Sequence, residues 1–130
     1  MSKAFDDLLA VIRKTRVPGG CAWDREQTIS SMAVHLKNEA DEVVEAIESS
    51  DSENLREELG DLLWNIIFIS KIAEDEGLFT IDEVMKDVKD KIVRRHPHVF
   101  GDVKLSTSQE VVEYYKTLKT KEKKAKSSRH

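Results

Sequence analysis

The sequence predicts an all-α protein. Apolar residues recur at helical spacing through five segments, and no segment alternates in the manner of a strand. Charged residues are 35% of the chain and aromatic residues 6%, a composition of solvated helices rather than sheets. A chain of 130 residues holds one domain with one core.

Phe5, Leu8, Leu9 and Ile12 place a first helix over about Lys3 to Thr15, and Pro18-Gly19-Gly20 ends it. The stretch that follows, to Gln27, reads as a loop carrying Cys21, Trp23 and Asp24. A second helix runs from about Ser30 to Glu48, with Thr28 or Ser30 as N-cap and Met32, Leu36, Ala40, Val43 and Ile47 as its apolar stripe. Ser49-Ser50-Asp51-Ser52 is a turn. A third helix extends from about Glu53 to Glu76 and stops at Gly77. Leu55, Leu59, Leu62, Leu63, Ile66 and Ala73 make one of its faces, and Trp64, Phe68 and Ile72 a second. A helix apolar on nearly all sides is buried on nearly all sides, so this one is expected to pack against another subunit as well.

Thr80 followed by Glu83 is a capping box opening a fourth helix with Ile81, Val84, Met85, Val88 and Ile92. It ends near Arg95, since Pro97 disfavours helix at the residue before it. His96 to Gly101 reads as a loop. Ser106 with Gln109, or Thr107 with Glu110, caps a fifth helix holding Val111, Val112, Tyr115 and Leu118.

Two acid pairs stand out. Glu39 and Glu42 lie three residues apart on the second helix, Glu58 and Asp61 three apart on the third, and such neighbours share a helix surface. Both pairs border apolar stripes on consecutive, antiparallel helices, so all four can meet. Carboxylates packed together repel and lose solvation unless a cation joins them. An all-oxygen set suits Mg²⁺ or Mn²⁺; a solvated acidic face is the alternative. A carboxylate-bridged di-iron bundle is disfavoured, since neither pair is Glu-x-x-His.

Lys91, Arg94 and Arg95 stand at i, i+3 and i+4 near the end of the fourth helix. They suit the helix dipole there, or they bind phosphate oxygens. His35 lies one turn before Glu39. His96 and His98, flanking Pro97, read as loop-fixing rather than ligating. Trp23 either stacks on a base or anchors its loop.

The formal net charge of −4 is unevenly placed. Residues 119–130 carry six Lys or Arg and one Glu, leaving the rest of the chain strongly acidic. An acidic body disfavours nucleic-acid binding. The basic stretch is expected to be a flexible tail following a domain of residues 1–118. A single cysteine, Cys21, excludes an internal disulfide and fits a reducing compartment. The N-terminus carries no secretory pattern and no apolar run spans a membrane, so the expected location is the cytoplasm.

Several segments together resemble the MazG-like nucleoside triphosphate pyrophosphohydrolases. They are Gly20-Cys21-Ala22-Trp23-Asp24-Arg25-Glu26-Gln27-Thr28, Asn38-Glu39-Ala40-Asp41-Glu42, Glu57-Glu58-Leu59-Gly60-Asp61-Leu62-Leu63, and Lys91-Ile92-Val93-Arg94-Arg95-His96-Pro97-His98-Val99-Phe100. The resemblance covers about residues 5–118. It implies a four-helix-bundle core completed by oligomerisation, as a homodimer or dimer of dimers. It also implies Mg²⁺-dependent hydrolysis of an NTP or dNTP to the monophosphate and pyrophosphate. By position, Glu39, Glu42, Glu58 and Asp61 would be the catalytic metal ligands and Lys91 and Arg95 phosphate contacts, with Arg94, Trp23, His35 and Asn38 as further substrate-side candidates.

The chain departs from the family pattern at Asn38, where the first glutamate of Glu-Glu-x-x-Glu is usual, and at Ala22, where proline is usual. Asn38 can hold a water or a metal but cannot take up a proton. A non-catalytic helical module that dimerises and binds nucleotide is therefore the competing expectation. Long family members carry two such domains, so this chain reads either as a single-domain member or as one domain of a longer protein.

Overall fold

A computed structural model describes residues 2–128, and all their regular structure is helical. The helices are α1 (Lys3–Arg16), α2 (Ala22–Glu26), α3 (Ile29–Glu48), α4 (Ser52–Asp75), α5 (Ile81–Arg95), α6 (Pro97–Phe100) and α7 (Ser108–Ser128). Five are long and begin close to where apolar periodicity and capping put them, α7 running on past the predicted domain end. The two short ones, α2 and α6, replace predicted loops. Each is a turn or so in length, too short to show a periodic stripe or to persist without tertiary contacts.

The chain divides into two compact units, residues 1–84 and 85–130. In the first, α3 and α4 form an antiparallel hairpin with the main helix–helix contact, and α1 packs on α2 and α4. The core joins Leu9 and Ile12 of α1, Met32, Val43 and Ala46 of α3, Ile67, Phe68, Ile72 and Ala73 of α4, and Ile81. Ala46 takes the buried place expected of Ile47, which is 58% exposed. The α4 face of Leu59, Leu63 and Ile66 is also exposed, at 42–49%. One chain thus buries only part of the apolar surface of this helix.

Local chemistry fixes the helix ends. Thr28 caps α3: its hydroxyl accepts from Ser31 N and its own N–H donates to Ser31 Oγ. Asp51 caps α4 by accepting from Asn54 N. Thr80 accepts from Glu83 N, as the capping box predicts. At the end of α4, Leu78 N donates to Ala73 O and Gly77 N to Glu74 O, with Gly77 at φ +73°. The end of α3 repeats this pattern through Asp51 N to Ala46 O and Ser50 N to Ile47 O, but with a serine at φ +56°.

Between α1 and α2 the chain doubles back. Cys21 N donates to Thr15 O at 2.8 Å, and a Cβ on Gly20 would lie 2.5 Å from that carbonyl oxygen. Only glycine allows this approach.

In the second unit, Thr107 rather than Ser106 caps α7, accepting from Glu110 N. His96 Nδ1 lies 2.7 Å from Ile92 O and its Nε2 2.8 Å from the Tyr115 hydroxyl. The backbone carbonyl fixes the proton on Nδ1, so Nε2 accepts from the tyrosine. His96 is loop-fixing, as expected. Of residues 119–130, expected to be a flexible tail, 119–128 continue α7; residues 129 and 130 lie outside the described residues.

Candidate metal centre

The acid pairs meet across the α3–α4 hairpin. Glu39, Glu58 and Asp61 each offer a carboxylate oxygen within 4.8 Å of the others. Capping explains the alignment: Thr28 fixes the start of α3, Asp51 fixes the start of α4, and a short turn joins them. Within each helix the i, i+3 spacing puts both acids on the strip facing the partner helix.

Electrostatics show the strain of this grouping. Burial, and then the charges of Glu42 and Asp61, push the Glu39 carboxyl above its ordinary range. Glu58 is pushed up to about 7, chiefly by a side-chain hydrogen bond with Glu42, then by desolvation and the charges of Glu42, Glu39 and Asp61. Glu42 therefore stands beside the three-acid cluster, in side-chain hydrogen-bond reach of Glu58. Glu39 Oε2 and Glu58 Oε2 are buried and accept no hydrogen bond among the described residues. A buried carboxylate oxygen without a donor costs free energy, and a hard cation supplies what it lacks. The donor set fits a divalent ion with oxygen preference.

Asn65, on the same strip of α4, is buried and donates through Nδ2 to Asp61 O at 2.8 Å. It braces the backbone of its own helix. Asn38, by contrast, is exposed on α3.

One turn before Glu39, His35 meets the Trp23 ring edge-on, with centroids 5.3 Å apart. Trp23 is 49% exposed, so much of the indole stays open. Lys91, Arg94 and Arg95 belong to the second unit. There Arg94 and Arg95 both pair with Glu122 of α7, which holds the Glu122 carboxyl down to about 2. The Arg95 hydrogen bond to Glu122 comes first among the causes, and Lys91 is exposed.

Sequence reasoning missed Arg16, Asp75 and Glu122. Glu122 did carry a signal, as the single acid within a stretch of six bases. Arg16 and Asp75 are separated by 59 positions and carried none.

A model of the MazG nucleotide pyrophosphohydrolase domain matches residues 27–100. A nucleoside triphosphate pyrophosphohydrolase/pyrophosphatase MazG of Thermotoga maritima is 44% identical over 98 residues, which are 75% of this chain and 38% of that protein. A nucleoside triphosphate pyrophosphohydrolase of Escherichia coli (strain K12) is 40% identical over 124 residues, 95% of this chain and 47% of that one. The chain thus spans less than half the length of these curated relatives. A crystal structure of a mazG-related protein from Thermotoga maritima superposes with a TM-score of 0.74 at 28% identity, covering 88% of this chain and 98% of that one. Five long helices, an acidic cluster across the α3–α4 hairpin and these matches agree: the chain belongs to the MazG nucleotide pyrophosphohydrolase domain family.

Proposed function

We propose that the chain hydrolyses nucleoside triphosphates, ribo- or deoxyribo-, to the monophosphate and pyrophosphate, and so removes excess or non-standard nucleotides from the cytoplasmic pool. The observation that carries this reading is the pair of buried, donor-less oxygens on Glu39 and Glu58 within a cluster of acids. Glu39, Glu58 and Asp61, with Glu42 beside them, would hold Mg²⁺ or Mn²⁺. When bound, such a cation neutralises phosphate oxygens and makes water a better nucleophile.

Water adds to the α-phosphorus, the bond to the oxygen bridging to the β-phosphate breaks, and pyrophosphate leaves. A glutamate of the cluster takes the water's proton. Lys91 and Arg95, with Arg94, offset charge on the leaving pyrophosphate, Arg offering two parallel donors. Trp23, with its half-exposed indole, stacks on the base, and His35 and Asn38 serve the nucleoside side. The domain carrying the activity is residues 1–118, with 119–130 a basic appendage.

A second copy completes the bundle. Leu59, Leu63 and Ile66 of α4 with Val44 and Ile47 of α3 are all at least 42% exposed. Two such hairpins packed face to face make four helices and bury this surface. This exposed surface supports a homodimer, or a dimer of dimers.

Asn38 favours a second reading, a nucleotide-binding module without turnover, because an amide cannot take the proton that a glutamate would. The test is pyrophosphate release from a panel of NTPs and dNTPs with Mg²⁺ and with EDTA. Metal-dependent pyrophosphate and monophosphate are expected. Silence from a folded chain that binds Mg²⁺ would overturn the enzyme and leave the module.

A further inference from the structure

α2 has five residues and no side-chain cap at its start, so it has no intrinsic stability as a helix. It nevertheless carries Trp23. One side chain holds its far end. Arg16, the last residue of α1, has a side chain only 11% exposed. Its Nη1 donates to Asp24 O at 2.6 Å and to Gln27 O at 3.1 Å, two carbonyls of the last turn and C-cap of α2. A fixed positive charge there satisfies acceptors that the helix leaves open and complements the negative end of its dipole.

Arg16 is itself held. Its Nε donates to Asp75 Oδ2 at 3.1 Å, and the guanidinium lies 5.6 Å from the centre of the buried Phe68 ring. Lys71 pairs with the same aspartate at 2.9 Å. Burial raises the Asp75 carboxyl, but hydrogen bonds from Lys71 and Arg16 outweigh it and keep Asp75 below its ordinary range. Gln27 completes the connection: its Nε2 donates to Trp23 O at 3.0 Å and its Oε1 accepts from Ser31 Oγ at 2.8 Å.

We infer that Arg16 is a positioning residue for nucleotide-base recognition: it clamps α2 so that Trp23 keeps its T-shaped contact with His35 and its half-exposed indole stays available to the base. This rests on the reading of Trp23 as the base platform. Arg16 touches no substrate and acts through the indole.

The experiment uses the full chain with Trp64→Phe as background, leaving Trp23 as the sole indole. Arg16→Ala, Arg16→Lys, Asp75→Asn and Trp23→Ala are compared. The first readout is quenching of Trp23 fluorescence as the neighbouring His35 imidazole is protonated, which depends on their ring contact. Arg16→Ala is expected to lose the pH-dependent quenching, and Asp75→Asn, which leaves both backbone contacts of Arg16 available, to keep it while lowering Tm.

The second readout is KM against kcat on a nucleoside triphosphate with Mg²⁺. Arg16→Ala should raise KM about ten-fold, the scale of one lost base–aromatic stack, with kcat within about two-fold. Combined with Trp23→Ala it should raise KM no further than Trp23→Ala alone. Arg16→Lys keeps the charge but not the fork. Its KM should fall between the two, and it serves where the alanine variant does not fold.

A folded Arg16 variant that retains both quenching and KM overturns the inference. If Trp23→Ala leaves KM unchanged, the base-stacking reading falls. Loss of quenching in Arg16→Ala would then still support the clamp, and retained quenching would overturn that too.

Discussion

Two clusters of like charge in this chain, the acids of the α3–α4 hairpin and the bases at the end of α5, are resolved in opposite ways. Among the described residues, Glu39, Glu42, Glu58 and Asp61 of α3 and α4 crowd together: Glu39 and Glu58 each keep a buried oxygen without a donor, and their carboxyls are raised. The bases at the end of α5 find an internal counter-charge, since Glu122 bridges Arg94 and Arg95. The comparison teaches which site leaves buried oxygens without donors and which is occupied. An acid cluster with donor-less buried oxygens fits a divalent cation. A satisfied arginine pair can receive a phosphate only by giving up its carboxylate.

The largest effect expected is at the acid cluster. Glu39→Gln or Asp61→Asn should lower turnover by about a thousand-fold or more, as removal of a ligand in a shared metal site does, while circular dichroism stays unchanged. Without added metal these variants should be more heat-stable than the parent, because each removes a repelling charge. A variant that loses stability and keeps its rate would make the acids structural and break the comparison.

The occupied site gives a smaller change in the other direction. Glu122→Gln should lower Tm by loosening α5 from α7, yet reduce KM for the triphosphate by roughly two- to five-fold, since the competing carboxylate is gone. An unchanged KM would mean that Arg94 and Arg95 serve only to dock α7.

The same contrast should appear as two opposite pH slopes in the metal-free chain. Glu58 has a folded value of about 7 against an ordinary 4.5, so between these the folded state holds more protons and stability falls as pH rises. Glu122 has a folded value of about 2 against 4.5, so between these the unfolded state holds more protons and stability falls as pH falls. Denaturation midpoints measured from pH 2 to 8 should therefore peak near the middle of the acid range. Saturating Mg²⁺ should flatten the upper slope and leave the lower one. If the upper slope is absent, the acids do not interact as placed.

The smallest effect sharpens the account of the hairpin that bears the acids. Gly77 and Ser50 occupy equivalent positive-φ positions after α4 and α3. Ser50→Gly should stabilise the chain by about 0.5–1 kcal/mol in urea titrations without altering either pH slope. A destabilised variant would mean that Ser50 makes a contact worth more than its strain.

Local chemistry was legible from the sequence wherever it lies within a few residues. The long helices, the caps at Thr28 and Thr80, the stop at Gly77 and the facing pairs Glu39/Glu42 and Glu58/Asp61 all follow from spacing. Short α2 and α6 were not legible, because a helix of one turn is decided by what holds it. The exposure of Ile47 and the burial of Ala46 were not legible either, since periodicity gives the direction of a face but not the neighbour that covers it.

The sequence by itself determined an all-α chain with four acids on two adjacent helices, because helical spacing and capping act over three or four residues. Tertiary structure alone decided that Arg16 reaches α2 and Asp75, that Glu122 takes the arginines of α5, and that two glutamate oxygens are buried without donors. Those outcomes join residues 8 to 59 positions apart or depend on surrounding packing, and no local pattern encodes them.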